Sequence, residues 1–210
     1  MTFGNSAAIR SASENGTKPL ITVEAMNLTI RRVVAANTYG TSRVVEEGEP
    51  PRSAVFTAPE GLAQSLIWRT EPVPSLNYDG TEPTTATRSV LPQPGGTSLI
   101  VLTIPPDSAY ADPSFDPVVA AAESAKHSPG LAELFESGNP GMHTTSTVDY
   151  DIVLEGELWL ELTDGEVRLT AGDVVVQHGT RHAWRNRSDK PATLLAVLIG
   201  ARDARSEDGR

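Results

Sequence analysis

The chain of 210 residues contains no cysteine. Disulfides, thiolate nucleophiles, iron–sulfur clusters and cysteine-type zinc sites are thereby excluded. Basic residues are in deficit, 17 Lys and Arg against 27 Asp and Glu, for a formal charge of −10. A chain of that sign repels phosphate backbones and anionic bilayers, so neither nucleic acid nor membrane is expected as a partner. No helix-turn-helix pattern or basic patch argues otherwise. No apolar run approaches the ~20 residues of a spanning helix. The N-terminal twenty residues have no apolar stretch of the signal-peptide kind, so a cytoplasmic protein is expected. On that expectation, the Asn-x-Ser/Thr triplets at Asn15, Asn27 and Asn186 are chance matches. Aromatic residues reach only 5% and hydrophobic residues 39%, which is lean but compatible with one globular domain. No repeat of solenoid period is present.

Glycine and proline are plentiful, at 17 and 16 residues, and favour short strands over long helices. Residues 1–20 read as a mobile arm and 201–210 as a charged tail. Residues 21–141 read as a β-rich extension, with strands expected around Thr29–Val34, Ser42–Val45, Ser65–Trp68 and Ser98–Ile104. Prolines separate these runs and keep them distinct. The polar stretch from Pro74 to about Arg88 reads as a long loop, with a lid as one reading and disorder as the other. Residues 116–136 have helical composition around Val118–Lys126, broken at Ser128-Pro129.

Residues 142–200 carry the strongest pattern. Leu154, Leu158, Leu160 and Leu162 share one parity, and Glu155, Glu157, Trp159 and Glu161 the other. That is the period of a strand with one buried face. Asp164-Gly165 offers a type I′ turn, and further turns follow at Ala171–Asp173 and His178–Thr180. Five or six short strands at spacings of about 8–12 residues predict an all-β barrel or sandwich. An outward Trp159 between two glutamates implies cover, from the first block or from a partner chain.

Only four histidines are present: His127, His143, His178 and His182. His127 falls in the helical segment and reads as solvent-facing. The others fall in or beside the barrel block, with Asp149 and Asp151 near His143. Imidazoles plus a carboxylate are the donor set of open transition-metal sites. Asp151 has the same strand parity as Asp149, so either can supply the carboxylate. Thr145, Thr147 and Trp184 are expected around such a pocket, and His178 or Tyr150 would be its proton donor if they reach it.

These residues resemble the two motifs of the cupin superfamily. Against the first motif, G-x5-H-x-H-x3or4-E-x6-G, His143, Thr145, Asp149 and Gly156 take the His, His, Glu and last Gly positions. Against the second, G-x5-P-x-G-x2-H-x3-N, Gly172, Gly179, His182 and Asn186 fit, with one residue fewer between the glycines and no proline. The string Val174–Asn186 is similar to that of small single-barrel cupins. The resemblance implies a double-stranded β-helix, or jelly-roll-like, barrel and a homodimer. It also implies a divalent metal, Fe, Mn, Ni or Zn, held by His143, Asp149 and His182, or no metal at all. The function it implies is Lewis-acid chemistry on an oxo-acid or polyketide-like small molecule: decarboxylation, dehydration, isomerisation or cyclisation, or dioxygen-dependent cleavage with iron. A metal-free acid/base pocket and a non-catalytic ligand-binding barrel are the alternatives.

Overall fold

The structure is a computed structural model and describes residues 30–202. The expected arm at 1–20 and residues 203–210 of the expected tail lie outside the described residues. An N-terminal hairpin, β1 (Arg32–Thr38) and β2 (Thr41–Gly48), precedes the barrel. Next come β3 (Arg52–Val55), β4 (Ala63–Thr70) and β5 (Thr97–Ile104), then helix α1 (Pro117–His127). The chain ends in β6 (Thr147–Glu155), β7 (Glu157–Leu162), β8 (Gly165–Thr170), β9 (Val174–His178), β10 (His182–Arg185) and β11 (Ala192–Gly200).

Two antiparallel sheets form the barrel, ordered β3-β4-β5-β11-β6-β9 and β10-β7-β8. Strands β3 to β5 are thus built into the larger sheet, with β5 paired to β11 along eight residues from Thr97↔Ile199 to Ile104↔Ala192. The alternation seen in sequence sets the facing. Leu158 and Leu160 of the small sheet pack with Leu169, Val153, Ile104, Ala192 and Leu194, which closes one end of the barrel in apolar contact. A second cluster, Leu66, Val90, Ile100 and Leu198, fills the region between β4, β5 and β11.

The outward faces differ in kind. That of the small sheet is laced with ion pairs, Arg168–Glu157, Arg185–Glu161 and Arg187–Glu166. Trp159 finds its cover there: the Arg187 guanidinium lies 4.7 Å from its ring centre, and its indole N–H donates to Glu157 at 3.2 Å. The larger sheet presents Tyr150, Ile152, Val174, Val176, Leu195 and Val197 outward, with Tyr150 43% and Val176 55% exposed.

Three local readings are corrected or settled. The β7–β8 loop is Thr163-Asp164, one residue earlier than expected, because Leu162 pairs with Gly165. Neither loop residue has positive φ, so the turn is not type I′, which requires it at both positions. The stretch 74–88, left open between a lid and disorder, is a loop held by long-range contacts. Glu82 accepts from Arg32 at 2.7 Å, and Arg52 donates to the Thr84 and Thr87 carbonyls at 3.2 Å each, which pins this loop to β3 and the hairpin. His127 is not simply solvent-facing, since its ring packs 5.4 Å from that of Phe56.

Two motif residues have structural work. Gly156 sits at φ +78°, and a Cβ there would come 2.9 Å from the Pro191 carbonyl oxygen and from Ala192 Cα, so only glycine fits between β6 and β7. Asn186 is fully buried. Its amide donates to the carbonyls of Ile104 at 2.9 Å and Lys190 at 2.8 Å, while its Oδ1 accepts from the Ser188 hydroxyl at 2.7 Å. It ties the end of β10 to β5 and to the turn before β11. Replacing Asn186 with Ala leaves buried carbonyls without donors, and denaturant unfolding should show a loss of about 2–4 kcal/mol. A loss under about 0.5 kcal/mol would contradict this role.

Candidate active site

The site begins with backbone pairing. Beyond the regular strands, His143 and His182 form an isolated antiparallel bridge. The His143 N–H donates to the His182 carbonyl and the His182 N–H to the His143 carbonyl, both at 2.9 Å. Residues opposed in this way project their side chains from the same face of a sheet. The two imidazoles accordingly lie with ring centres 4.3 Å apart.

Each ring is then oriented by the segment just before it. His143 Nδ1 lies 3.0 Å from the Gly141 carbonyl, and His182 Nδ1 lies 3.0 Å from the Thr180 carbonyl, in each case two residues back. A carbonyl oxygen only accepts, so Nδ1 carries the proton and Nε2 keeps its lone pair. Phe135 meets His143 edge-on at 5.1 Å, and Trp184 meets His182 edge-on at 6.0 Å, which holds the rings laterally.

Strand β6 brings two carboxyls to the same place. Asp149 and Asp151 have inward parity, line the cavity with both histidines and Thr145, and are buried. Asp151 Oδ2 accepts from the Gln177 side-chain amide at 2.8 Å. Asp149 Oδ1 is buried with no hydrogen-bond partner among the described residues. Thr145 and Thr147 share a hydroxyl hydrogen bond of 2.7 Å beside it.

Burial governs the protonation of this cluster. It pushes His143 down to about 4, helped by neighbouring His182 and opposed by the Gly141 carbonyl and Asp149. It also lowers His182, against the Thr180 carbonyl. Burial raises Asp149, against Thr147 and His143. Asp151 is pushed up to about 7 by burial, against its Gln177 bond and with the Asp149 charge adding to the rise. Both rings are therefore neutral near pH 7, and the carboxyls hold their protons more tightly than exposed aspartates do.

The cluster opens on a cavity of about 540 Å³. Its walls are mostly apolar, including Ile100, Leu102, Leu194 and Leu198 of the larger sheet. Helix α1 covers it, presenting Ala120, Ala121 and Ser124. The helix starts at Pro117, capped by Asp116 Oδ1, which accepts from the Val118 N–H at 2.8 Å. Three clamps hold the segment down. The Glu123 carboxylate accepts from the Thr57 and Ala58 N–H groups at 3.0 and 3.1 Å. Ser128 donates to Gln64 at 2.8 Å. Glu136 accepts a two-bond fork from Arg181 at 2.6 and 2.7 Å.

Of the residues singled out from sequence, His143, His182, Asp149, Thr145 and Trp184 line this cavity, as does Asp151. Thr147 is buried and reaches it through Thr145. His178 and Tyr150 do not reach it. Tyr150 has the parity opposite to Asp149, and His178 pairs with Val148, so both face out from the larger sheet. The sequence reading missed the covering face of α1, the Phe135 contact and the Gln177 anchor. Gln177 stands opposite Asp149 with inward parity, a register that the sequence does not reveal.

The donor chemistry suits a divalent transition ion. Two imidazoles present free Nε2 atoms from carbonyl-anchored rings, and an unpartnered carboxylate oxygen lies on the same cavity. Among the described residues, no group of three His, Asp or Glu side chains is arranged to hold a metal ion as they stand. The site is thus an imidazole pair with a carboxylate beside it.

Asp151 titration gives a prediction. In the folded chain it binds its proton up to about pH 7, and unfolded only to its ordinary value of 3.8. Its contribution to stability is full below about 4 and is lost as pH rises to about 7. His143 works in the opposite sense, adding stability as pH rises from about 4 to 6.5. The comparison must therefore be made between variants. In chelator-treated protein, Asp151→Asn should gain stability relative to wild type across pH 4 to 7, then level off. Urea unfolding at each pH reads this, and a pH-independent difference would contradict the burial of an ionisable Asp151.

Residues 134–198 match the model of the cupin domain. Oryzines biosynthesis cluster protein J of Aspergillus oryzae is 58% identical over 65 residues, 30% of this chain and 36% of that protein. Phomopsin biosynthesis cluster protein C′ of Diaporthe leptostromiformis is 49% identical over 59 residues, 28% and 31% of the two chains. The cupin-domain-containing oxidoreductase srdB of Neurospora crassa is 45% identical over 60 residues, again 28% and 31%. The match spans about a third of the length of these curated relatives. Among solved structures, a cupin 2 conserved barrel domain protein from Salinispora arenicola aligns with a TM-score of 0.36 at 16% identity, over 70% of this chain and 81% of its own. No described helix is long and apolar enough to cross a membrane. Residues 134–198 therefore match a cupin domain, and this segment holds β6 to β10 and most of β11.

Proposed function

We propose that this chain is a small-molecule cupin enzyme whose cavity takes a divalent transition metal on His143, His182 and Asp149. The observation that carries the reading is the histidine pair: two buried rings 4.3 Å apart, each with Nδ1 committed to a backbone carbonyl and Nε2 left to the cavity. Anchoring of that kind orients metal-binding histidines and raises their basicity. Relatives named for biosynthesis clusters and as cupin-domain oxidoreductases support a role on a small organic molecule.

When bound, such an ion supplies Lewis acidity toward a carbonyl or enolate oxygen, and iron adds dioxygen chemistry. The chain does the rest. The leucines and isoleucines of β5 and β11 exclude water from the reacting end and strengthen every polar contact there. Trp184 and Phe135 flank the imidazoles and confine a substrate between them. Asp151, held through Oδ2 by Gln177, keeps Oδ1 for a proton at the cavity wall. Dehydration, isomerisation or cyclisation of a carbonyl compound fits this equipment.

Elemental analysis of tag-free protein, followed by Co(II) titration of the chelator-treated chain, tests the reading. Near one equivalent of transition metal is expected per chain. His182→Ala and His143→Ala should weaken Co(II) binding by more than the roughly 10–100-fold that loss of an outer-shell partner costs. Unchanged Co(II) affinity in both variants would overturn the metal centre and favour an acid/base pocket of the same residues.

A further inference from the structure

The cavity has polar groups at one end and oily walls elsewhere, yet among the described residues no side chain that lines it is a lysine or an arginine. Its formally charged lining is acidic throughout: Asp149, Asp151 and Glu136. Three arginines around it are occupied. Arg181 spends its fork on Glu136. Arg185 donates to Glu161 at 2.6 Å and to the Pro140 carbonyl at 2.8 Å. Arg52 is turned to the Thr84 and Thr87 carbonyls. The remaining polar lining is uncharged, with Thr145, Ser124, Ser128 and Gln64.

A carboxylate or phosphate drawn into such a space would shed its water beside buried acidic groups, with no protein cation to offset the cost. A neutral oxygen function would meet hydroxyl and imidazole partners instead. The volume of about 540 Å³ admits on the order of 15–20 non-hydrogen atoms, at roughly 30 Å³ for each water-sized group. We infer that the substrate of this site is an uncharged, largely apolar molecule with a carbonyl or hydroxyl group at its polar end, and not a free oxo-acid. The inference rests on reading the cavity as a small-molecule site, and it departs from the oxo-acid that family resemblance suggests.

The position of helix α1 strengthens the assignment. Its cavity face is Ala120, Ala121 and Ser124, side chains that leave room for an alkyl or aryl body beneath the helix and offer it no charge.

Matched probes separate the possibilities. 4-Hexylbenzaldehyde, 4-hexylbenzyl alcohol and 4-hexylbenzoate share one apolar body and differ at the polar end. Their binding is measured by calorimetry at pH 8, on metal-loaded and on chelator-treated protein. The aldehyde and the alcohol should bind the chelator-treated chain at least tenfold more tightly than the benzoate. Ser124→Lys, which puts an ammonium on the covering helix, should narrow that preference at least fivefold by strengthening the benzoate. Equal or tighter benzoate binding to the chelator-treated chain overturns the inference and leaves the small-molecule site standing. A benzoate preference confined to metal-loaded protein also overturns it, because the ion then supplies the missing cation. Failure of all three probes on both forms overturns the small-molecule reading itself, and this inference with it.

Discussion

The site depends on one pair of backbone hydrogen bonds. His143 and His182 are almost forty residues apart in sequence, and each donates its N–H to the other's carbonyl at 2.9 Å. This bridge lies just outside the regular ladders, where the segment before β6 meets the start of β10. It closes the barrel at that end and sets two imidazoles side by side on the inner face. Each ring then folds back on a carbonyl two residues earlier in its own segment. The same local device operates twice, and both Nε2 lone pairs are left to the cavity.

Much of the electrostatic character follows from that placement. Rings buried against apolar walls lose their charged form, and carboxyls buried beside them resist giving up a proton. The result is a polar cluster of low charge at the end of an oily chamber. Outside the barrel, arginines and glutamates pair with one another on the small sheet. Inside it, no lysine or arginine among the described residues lines the chamber. Charge is therefore segregated by strand parity, which is why a chain of net charge −10 can enclose a space suited to uncharged molecules.

What was legible in the sequence is what strand period and local spacing carry. Leu158, Leu160 and Glu157 revealed their facing through alternation, and Asp149 and Asp151 share a face for the same reason. That parity rule also places Tyr150 outward, so its exclusion from the cavity was readable. The outward turn of His178 was harder to see, because it depends on its register against Val148. Helix α1 was visible as a helix but not as a cover. Its cavity face is made of alanine and serine, small residues that print no apolar stripe, and its anchor joins Glu123 to Thr57 across 66 positions. The pinning of 74–88 by Arg32 and Arg52 is likewise long-range, so a polar loop and a lid looked alike in sequence.

The central claim is that burial keeps both imidazoles neutral while backbone carbonyls fix the proton on Nδ1, with Nε2 open to the cavity. Long-range ¹H–¹⁵N NMR of the histidine rings in chelator-treated protein at pH 7 tests it directly. The account predicts two rings, lost respectively in His143→Gln and His182→Gln, with the shifts of the neutral Nδ1–H tautomer. Nε2–H tautomers, or imidazolium shifts at that pH, would contradict it.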